Sequence, residues 1–173
     1  MAAGKSGMLR RVCVVPAAPD AVWARMTSPE GINDELMPVM RMSVPVGLRG
    51  KTIDDVPLGE RVCRSWLLLF GFVPFEYDDI VIAEREPGRR FRETSTMWSV
   101  RRWVHERTVA PHVDGSIVED QITFRLRCPV GAVPGSHRLL GAVLTLLFAH
   151  RHRRLRRHFA RSAPAVELPG DAL

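Results

Sequence analysis

The sequence predicts an α+β fold in which a curved antiparallel sheet wraps around one long C-terminal helix, with two short helices after the first strand. Three observations carry that expectation. After the turn Pro134-Gly135-Ser136 the chain runs from His137 to about Ala163 without a proline and at helical spacing. Between Met40 and Pro134 it reads as short β-prone runs broken by Gly, Pro and Asp, so helix and strand are segregated along the chain. At about 1.5 Å per residue the terminal helix spans roughly 40 Å, and it is the one element long enough to cover the open face of a strongly curved sheet.

Arg11 to Val15 is a β-branched run closed by Pro16, hence a first strand. Asp20 is expected to cap a short helix whose Val22, Trp23 and Met26 share one side. Ser28-Pro29-Glu30 opens a second helix over Ile32 to Leu36, with Ser28 as N-cap and Pro29 at the first helical position. Met40 to Pro45 is the next strand, and Gly47 to Gly59 is a loop rich in Gly, Asp and Pro. Arg64 to Phe72 is short and β-prone and is read as a strand. Tyr77 to Glu86 alternates, Pro87-Gly88 turns the chain, and Arg90 to Met97 alternates again. Arg102 to Val109 and Ile117 to Leu126 complete a meander. The terminal helix is two-faced along its length: leucine-rich from Leu139 to Phe148, then carrying Arg151, Arg153, Arg154, Arg156, Arg157 and Arg161.

At 173 residues the chain has the size of one domain, able to bury roughly two-thirds of its unfolded surface. The reading is a flexible tail over residues 1–9, one domain over 10–162 and a second tail over 163–173. Six of the 25 basic residues lie in the helical arginine segment; the other 19 equal the 19 acidic residues, so the basic character is local. Cys13, Cys63 and Cys128 are odd in number and unpaired in spacing, which predicts buried thiols in a reducing compartment. The longest apolar run, Gly141 to Ala149, is well short of the roughly 20 residues of a membrane span, so a cytoplasmic protein is expected.

Four motifs in this order resemble one superfamily: Pro19-Asp20-Ala21-Val22-Trp23 after the first strand, Thr27-Ser28-Pro29-Glu30-Gly31-Ile32, the strand Trp103-x-His105-x-Arg107, and Gly115-Ser116-x-Val118-x-Asp120 before the final helix. The chain resembles the helix-grip proteins, the Bet v 1-like, START-like or SRPBCC superfamily, over roughly residues 10–162. The resemblance implies the fold. The superfamily includes polyketide cyclases, lipid-transfer proteins and coenzyme Q-binding proteins and has no universal catalytic motif, so it implies no single activity.

Strand parity places side chains. In Val118 to Leu126 the even positions are apolar and the odd ones polar, so the even face points inward and Asp120 is its one polar residue. With the preceding turn centred near residues 113 and 114, Arg107 stands opposite Asp120, His105 opposite Ile122 and Trp103 opposite Phe124. The phase of Phe91 and Met97 brings Glu93 near His105. The expected site is therefore a polar cluster of Glu93, His105, Arg107 and Asp120 inside an apolar cavity lined by Trp66, Phe70, Phe91, Trp103, Phe124, Leu140, Leu144 and Phe148. The short helices and the loop from Gly47 to Gly59 are expected to form its entrance.

These residues point to binding of a hydrophobic small molecule or lipid, with the cluster orienting a polar group. Two alternatives remain open at this stage: a polyketide cyclase or aromatase-like enzyme that moves protons through His105, and a protein- or membrane-surface module that uses the arginine segment. For that last reading Arg153, Arg154 and Arg157 are the expected contacts with an anionic surface; otherwise the segment is a solvated helix end whose charge suits the helix dipole. No nucleophile elbow, P-loop or dinucleotide fingerprint occurs, and no cofactor is assigned. His150 and His152 diverge on the helix, so no metal ligand is assigned. Glu76, Asp78 and Asp79 read as a solvated strand start, and the arginine segment lacks the aromatic interleaving of base-stacking surfaces.

Overall fold

A computed structural model describes residues 6–162. The strands are β1 (Gly7–Val15), β2 (Met40–Met42), β3 (Arg61–Leu69), β4 (Val73–Glu86), β5 (Arg90–Met97), β6 (Val100–His112) and β7 (Gly115–Leu126); the helices are α1 (Pro19–Thr27), α2 (Pro29–Leu36) and α3 (Ser136–Ser162). The strands form one antiparallel sheet in the order β1-β7-β6-β5-β4-β3-β2, a meander from β2 to β7 onto which β1 closes. The terminal helix lies in the curve of that sheet, so the architecture is the expected helix grip. The expected tail over 163–173 and the first five residues of the N-terminal tail lie outside the described residues. Gly7 to Leu9, expected in that tail, belong to β1, where Gly7 pairs with Phe124.

The β6–β7 register is the one that parity dictates: Arg107 opposite Asp120, His105 opposite Ile122, Trp103 opposite Phe124 and Val109 opposite Val118. On the other side of β6, Glu93 pairs with His105. A side-chain period of 2 makes this register self-enforcing, because a slip of one residue would turn Val118, Ile122 and Phe124 out to water. The core divides in two. Val15, Val22, Trp23, Met26, Phe91, Val109 and Val118 pack around Leu155 of α3. Met97, Val100, Trp103, Ile122, Phe124 and Leu126 pack around Leu144 and Phe148, about two to three turns earlier.

Local chemistry departs from expectation in a few places. Asp20 lies inside the first turn of α1 and caps nothing; Ala18 holds the N-cap position and Pro19 starts the helix. Ser28 does cap α2, accepting a hydrogen bond from the Gly31 N–H. Arg64 to Phe72 is not one strand: β3 ends at Leu69, and Phe70 and Gly71 turn the chain with φ of 53° and 87°. Against the expectation of buried thiols, Cys13 and Cys63 are only partly buried and Cys128 is exposed; all three are free.

Helices α1 and α2 meet so closely that only a glycine fits at position 31. A Cβ there would lie 1.8 Å from the Arg25 carbonyl oxygen, a backbone atom that no rotamer change can move. Gly31→Ala is expected to cost about 1–3 kcal/mol by overpacking, whereas Gly47→Ala, with no atom within 4 Å of the added Cβ, should be neutral. Urea unfolding midpoints of the two variants check this.

Candidate functional site

A buried polar layer separates the two apolar clusters. Its centre is Arg107, which is fully buried together with Asp120. The Arg107 Nε lies 3.1 Å from Asp120 Oδ1, while its two Nη atoms reach Glu35 Oε1 at 3.1 Å and Oε2 at 2.9 Å. Glu35 belongs to α2, whose N-cap and close approach to α1 aim it inward. Helix α3 adds two adjacent residues: Arg151 donates to Glu35 Oε2 at 3.1 Å, and His152 Nε2 donates to Asp120 Oδ2 at 2.5 Å. His105 Nε2 donates to the other Asp120 oxygen at 2.6 Å. One carboxylate therefore holds β6, β7 and α3 together, and a second holds α2, β6 and α3.

The titration behaviour follows from this geometry. Burial alone would push the Asp120 carboxyl up, but Arg107, His105 and His152 outweigh it and hold it well below the usual carboxylate range. Burial likewise opposes a charge on His105, yet hydrogen bonds to Asp120 and Glu93 raise its pKa above the ordinary imidazole value. Glu93 is drawn down: the cost of burial is overcome by His105, whose Nδ1 lies 3.9 Å from Oε2, and by Ser95, which donates to Oε1 at 2.7 Å. Phe91, Trp103 and Phe148 enclose the His105 ring edge to face at centroid distances of 5.7, 6.5 and 5.4 Å.

On the far side of His105 from Asp120 the sheet and α3 enclose a cavity of about 620 Å³. Phe91, Trp103, Leu140, Leu144 and Phe148 line it, as do Glu93 and His105 at its polar end. Met26 and Leu36 of the short helices and Leu48, Ile53 and Val56 of the loop supply another wall. The most exposed apolar lining residues are Leu146, Val143 and Phe75, so the opening lies between the first half of α3 and the start of β4. The loop from Gly47 to Gly59, expected at the entrance, contributes Leu48, Lys51, Thr52, Ile53 and Val56 to the lining.

Residues 13–159 match the profile of a family described as a domain of unknown function, DUF8410. The chain belongs to DUF8410. No curated protein matches this DUF8410 chain in sequence. Among solved structures it is similar to a protein from Chromobacterium violaceum, with a TM-score of 0.64 at 18% identity over 88% of this chain and 96% of the other. It is also similar to a START superfamily protein from Mycobacterium smegmatis, with a TM-score of 0.61 at 9% identity over 90% and 98% of the two chains. A third similar structure is the di-domain ARO/CYC StfQ from the steffimycin biosynthetic pathway, with a TM-score of 0.64 at 12% identity over 91% of this chain and 52% of that one. These likenesses establish the START-like, SRPBCC fold for the DUF8410 chain, and at such identities they speak for the fold alone.

Of the residues that parity placed in the cavity, three groups lie elsewhere. Trp66 is half exposed on the outer face of β3, packed edge to face on Tyr77, and Phe70 is exposed in the β3–β4 turn. Phe124 is buried but stacks on His137 and packs beneath α3 instead of facing the cavity. Arg107 and Asp120 lie in the polar layer, screened from the cavity by His105. The reading of Glu76, Asp78 and Asp79 as a solvated strand start is overturned for the first two. Glu76 is buried and accepts from the Trp98 and Ser99 N–H groups at 2.7 and 3.0 Å, and Asp78 is buried in the cavity wall. Asp79 faces out and pairs with Arg64.

The arginine segment is not simply solvated. Arg151 and His152 are buried, and Arg154 is tied to Asp34 of α2 at 2.6 Å. Of the three residues expected to meet an anionic surface, Arg153 and Arg157 are exposed. Glu35, Arg151 and His152 escape the sequence reading, although their spacing held a signal: Leu144, Phe148, Arg151, His152 and Leu155 fall on one helical stripe, so the two polar residues share the buried face.

Two predictions follow from the polar layer. Asp120→Ala removes the common partner of Arg107, His105 and His152 and should cost about 3–5 kcal/mol, the cost of stranding a buried charge. The joint Arg107→Met, Asp120→Leu variant should recover only part of that loss, because Arg107 also holds Glu35; complete recovery in urea denaturation would show that the pair acts alone.

The pH dependence has a defined sign. His105, raised in the folded state, contributes stability that is present below about pH 6.5 and lost as pH rises through its folded value; Asp120, depressed, contributes stability that is present above about pH 3.9 and lost as pH falls toward its folded value. The melting temperature should therefore decline from pH 6.5 to 9, and His105→Gln should flatten that decline.

Proposed function

We propose that this chain binds a hydrophobic small molecule in the cavity between the sheet and α3. The observation that carries the reading is the cavity itself: about 620 Å³, walled by Met, Leu, Ile, Val and aromatic side chains, with Glu76, Asp78, Glu93 and His105 among the polar groups of its lining. That volume falls within the roughly 300–1,000 Å³ of small-molecule sites. An opening rimmed by apolar residues on α3 and β4 supports passage of an apolar guest. Helix α3 is clamped through Arg151 and His152, downstream of the opening, so its first half has fewer constraints than its second.

Binding is better supported than turnover. A general base must have a lone pair to offer, and both ring nitrogens of His105 already face carboxylates. Hydrogen bonds to Asp120 and Glu93 favour the charged form of this histidine inside an aromatic and carboxylate enclosure, which suits fixing the polar end of a guest. The surface-module reading has less behind it, since Arg151 and Arg154, two of the six arginines, are committed to Glu35 and Asp34.

The test is to fill the cavity. Leu144 lines it from the buried face of α3, and Leu144→Trp should weaken binding of the neutral solvatochromic dye Nile red roughly tenfold or more while the far-ultraviolet circular dichroism is retained. Leu147→Trp, on the partly buried edge of the same lining, provides a second variant should the first fail to fold. Dye binding unchanged in a folded variant would show that no guest site lies beneath the helix.

A further inference from the structure

Three acidic residues, Glu76, Asp78 and Glu93, share one wall of the cavity. Two of them are fully employed. Glu76 accepts from the Trp98 and Ser99 N–H groups and from the Ser99 hydroxyl, which fixes the β5–β6 turn. Glu93 accepts from Ser95 and faces His105. Asp78 differs from both. It is 4% exposed, its polar neighbours are Ser95 and Glu93, and its Oδ1 has no hydrogen-bond partner although it is buried. Of the cations that line the cavity, His105 and Arg151 are engaged by Asp120, Glu93 and Glu35, and Lys51 lies on the loop; the groups that act most on Asp78 are Glu93, Ser95 and Asp79.

An orphaned buried carboxyl oxygen is expensive, and the cheapest way to satisfy it from the cavity side is a hydrogen-bond donor on the guest. The charge of that guest is constrained by the same wall. A carboxylate would sit beside Glu76 and Glu93 in a water-poor space and would offer no donor. An ammonium would approach the His105 ring, whose carboxylate partners favour its charged form. A hydroxyl donates to Asp78 and brings no charge, and it can also accept if Asp78 carries a proton. Burial beside Glu93 raises the Asp78 pKa well above the ordinary value, which favours that protonated form.

Building on the cavity reading, we propose that the guest is a hydrophobic alcohol or phenol whose hydroxyl docks on Asp78, and that the site discriminates against carboxylates of the same chain length. The neighbouring Glu93 and Ser95 keep Asp78 oriented, and the aromatic rings around His105 bound the space in which the hydroxyl must fit.

The experiment displaces Nile red from the full chain with four guests matched in length: 1-decanol, 1-methoxynonane, decanoate and decylammonium. A site built around a hydroxyl donor rejects the analogue that lacks it, so decanol should displace the dye at about tenfold lower concentration than the ether, which accepts but does not donate. Decanoate and decylammonium should both be weaker than decanol. In Asp78→Ala the preference for alcohol over ether should vanish; in Asp78→Asn, which keeps the shape and the hydrogen-bonding oxygen, it should persist in part. Asp78→Ala also gives up the hydrogen bonds of this carboxyl with Ser95 and Glu93, so circular dichroism is used to confirm that it is folded, and Asp78→Asn supplies the second variant. Equal displacement by alcohol and ether, an unchanged preference in Asp78→Ala, or tighter binding of decanoate or decylammonium overturns the inference while leaving the cavity reading intact. Failure of wild type to bind Nile red overturns the cavity reading and the inference with it.

Discussion

The fully buried guanidinium of Arg107 is the constraint on which the rest of the molecule depends. An arginine cannot shed its charge, so a buried one must be surrounded by carboxylates with good geometry or the fold does not form. Here the planar fork divides its donors between Asp120 on the neighbouring strand and Glu35 on a helix 72 residues earlier. Each of those carboxylates has oxygen capacity left over, and α3 fills it with Arg151 and His152. The angular position of the long helix in the sheet's grip is thereby set by charge, whereas the apolar contacts of Leu144, Phe148 and Leu155 would tolerate small rotations and slides.

That arrangement explains where the cavity is. The polar layer crosses the interior between the two apolar clusters, and on one side of it Leu155 packs the space under α3 against α1 and the ends of β6 and β7. On the other side the sheet curves away toward β3 and β4, and the first half of α3 cannot follow because Arg151 and His152 anchor it. The gap that remains is the cavity. His105 stands at the boundary, one ring nitrogen on Asp120 in the layer and the other toward Glu93 in the cavity wall, so the structural clamp and the guest site share a residue.

The sheet and its register were legible in the sequence because β6 and β7 alternate cleanly: a period of 2 with one polar residue on the inner face leaves a single register in which Arg107 meets Asp120. The same logic failed on β3. Residues 66–70 read Trp-Leu-Leu-Leu-Phe, an apolar run with no alternation, so no phase was available; from Cys63 to Leu67 the pairing is regular with Cys63, Ser65 and Leu67 facing inward, which leaves Trp66 outward. Glu35 and the pair Arg151 and His152 were missed for another reason. Their partners are distant in sequence, and a charged residue on a helix reads as solvated until the opposite charge that neutralises it is known. Glu76 and Asp78 were hidden by the same prior, since acidic residues at a strand start are ordinarily wet.

Asp78 is the residue for which an account based on stability alone fails. Among the described residues, Glu35, Glu76, Glu93 and Asp120 each have a cation or a set of N–H donors, and each can be explained by what it holds together. Asp78 ties no distant elements together: its carboxyl meets Ser95 and Glu93 on the neighbouring strand, and its Oδ1 is buried and unsatisfied, at a cost in stability. Side chains that lower stability without a structural return are concentrated where function needs them. The sequence of β4 also places it deliberately, because Glu76, Asp78, Ile80 and Ile82 share the inward phase while the neighbouring Asp79 finds Arg64 on the outside. Two adjacent aspartates on opposite faces thus have opposite fates: Asp79 is neutralised by the protein itself, and Asp78 keeps a buried oxygen without a partner in the cavity wall.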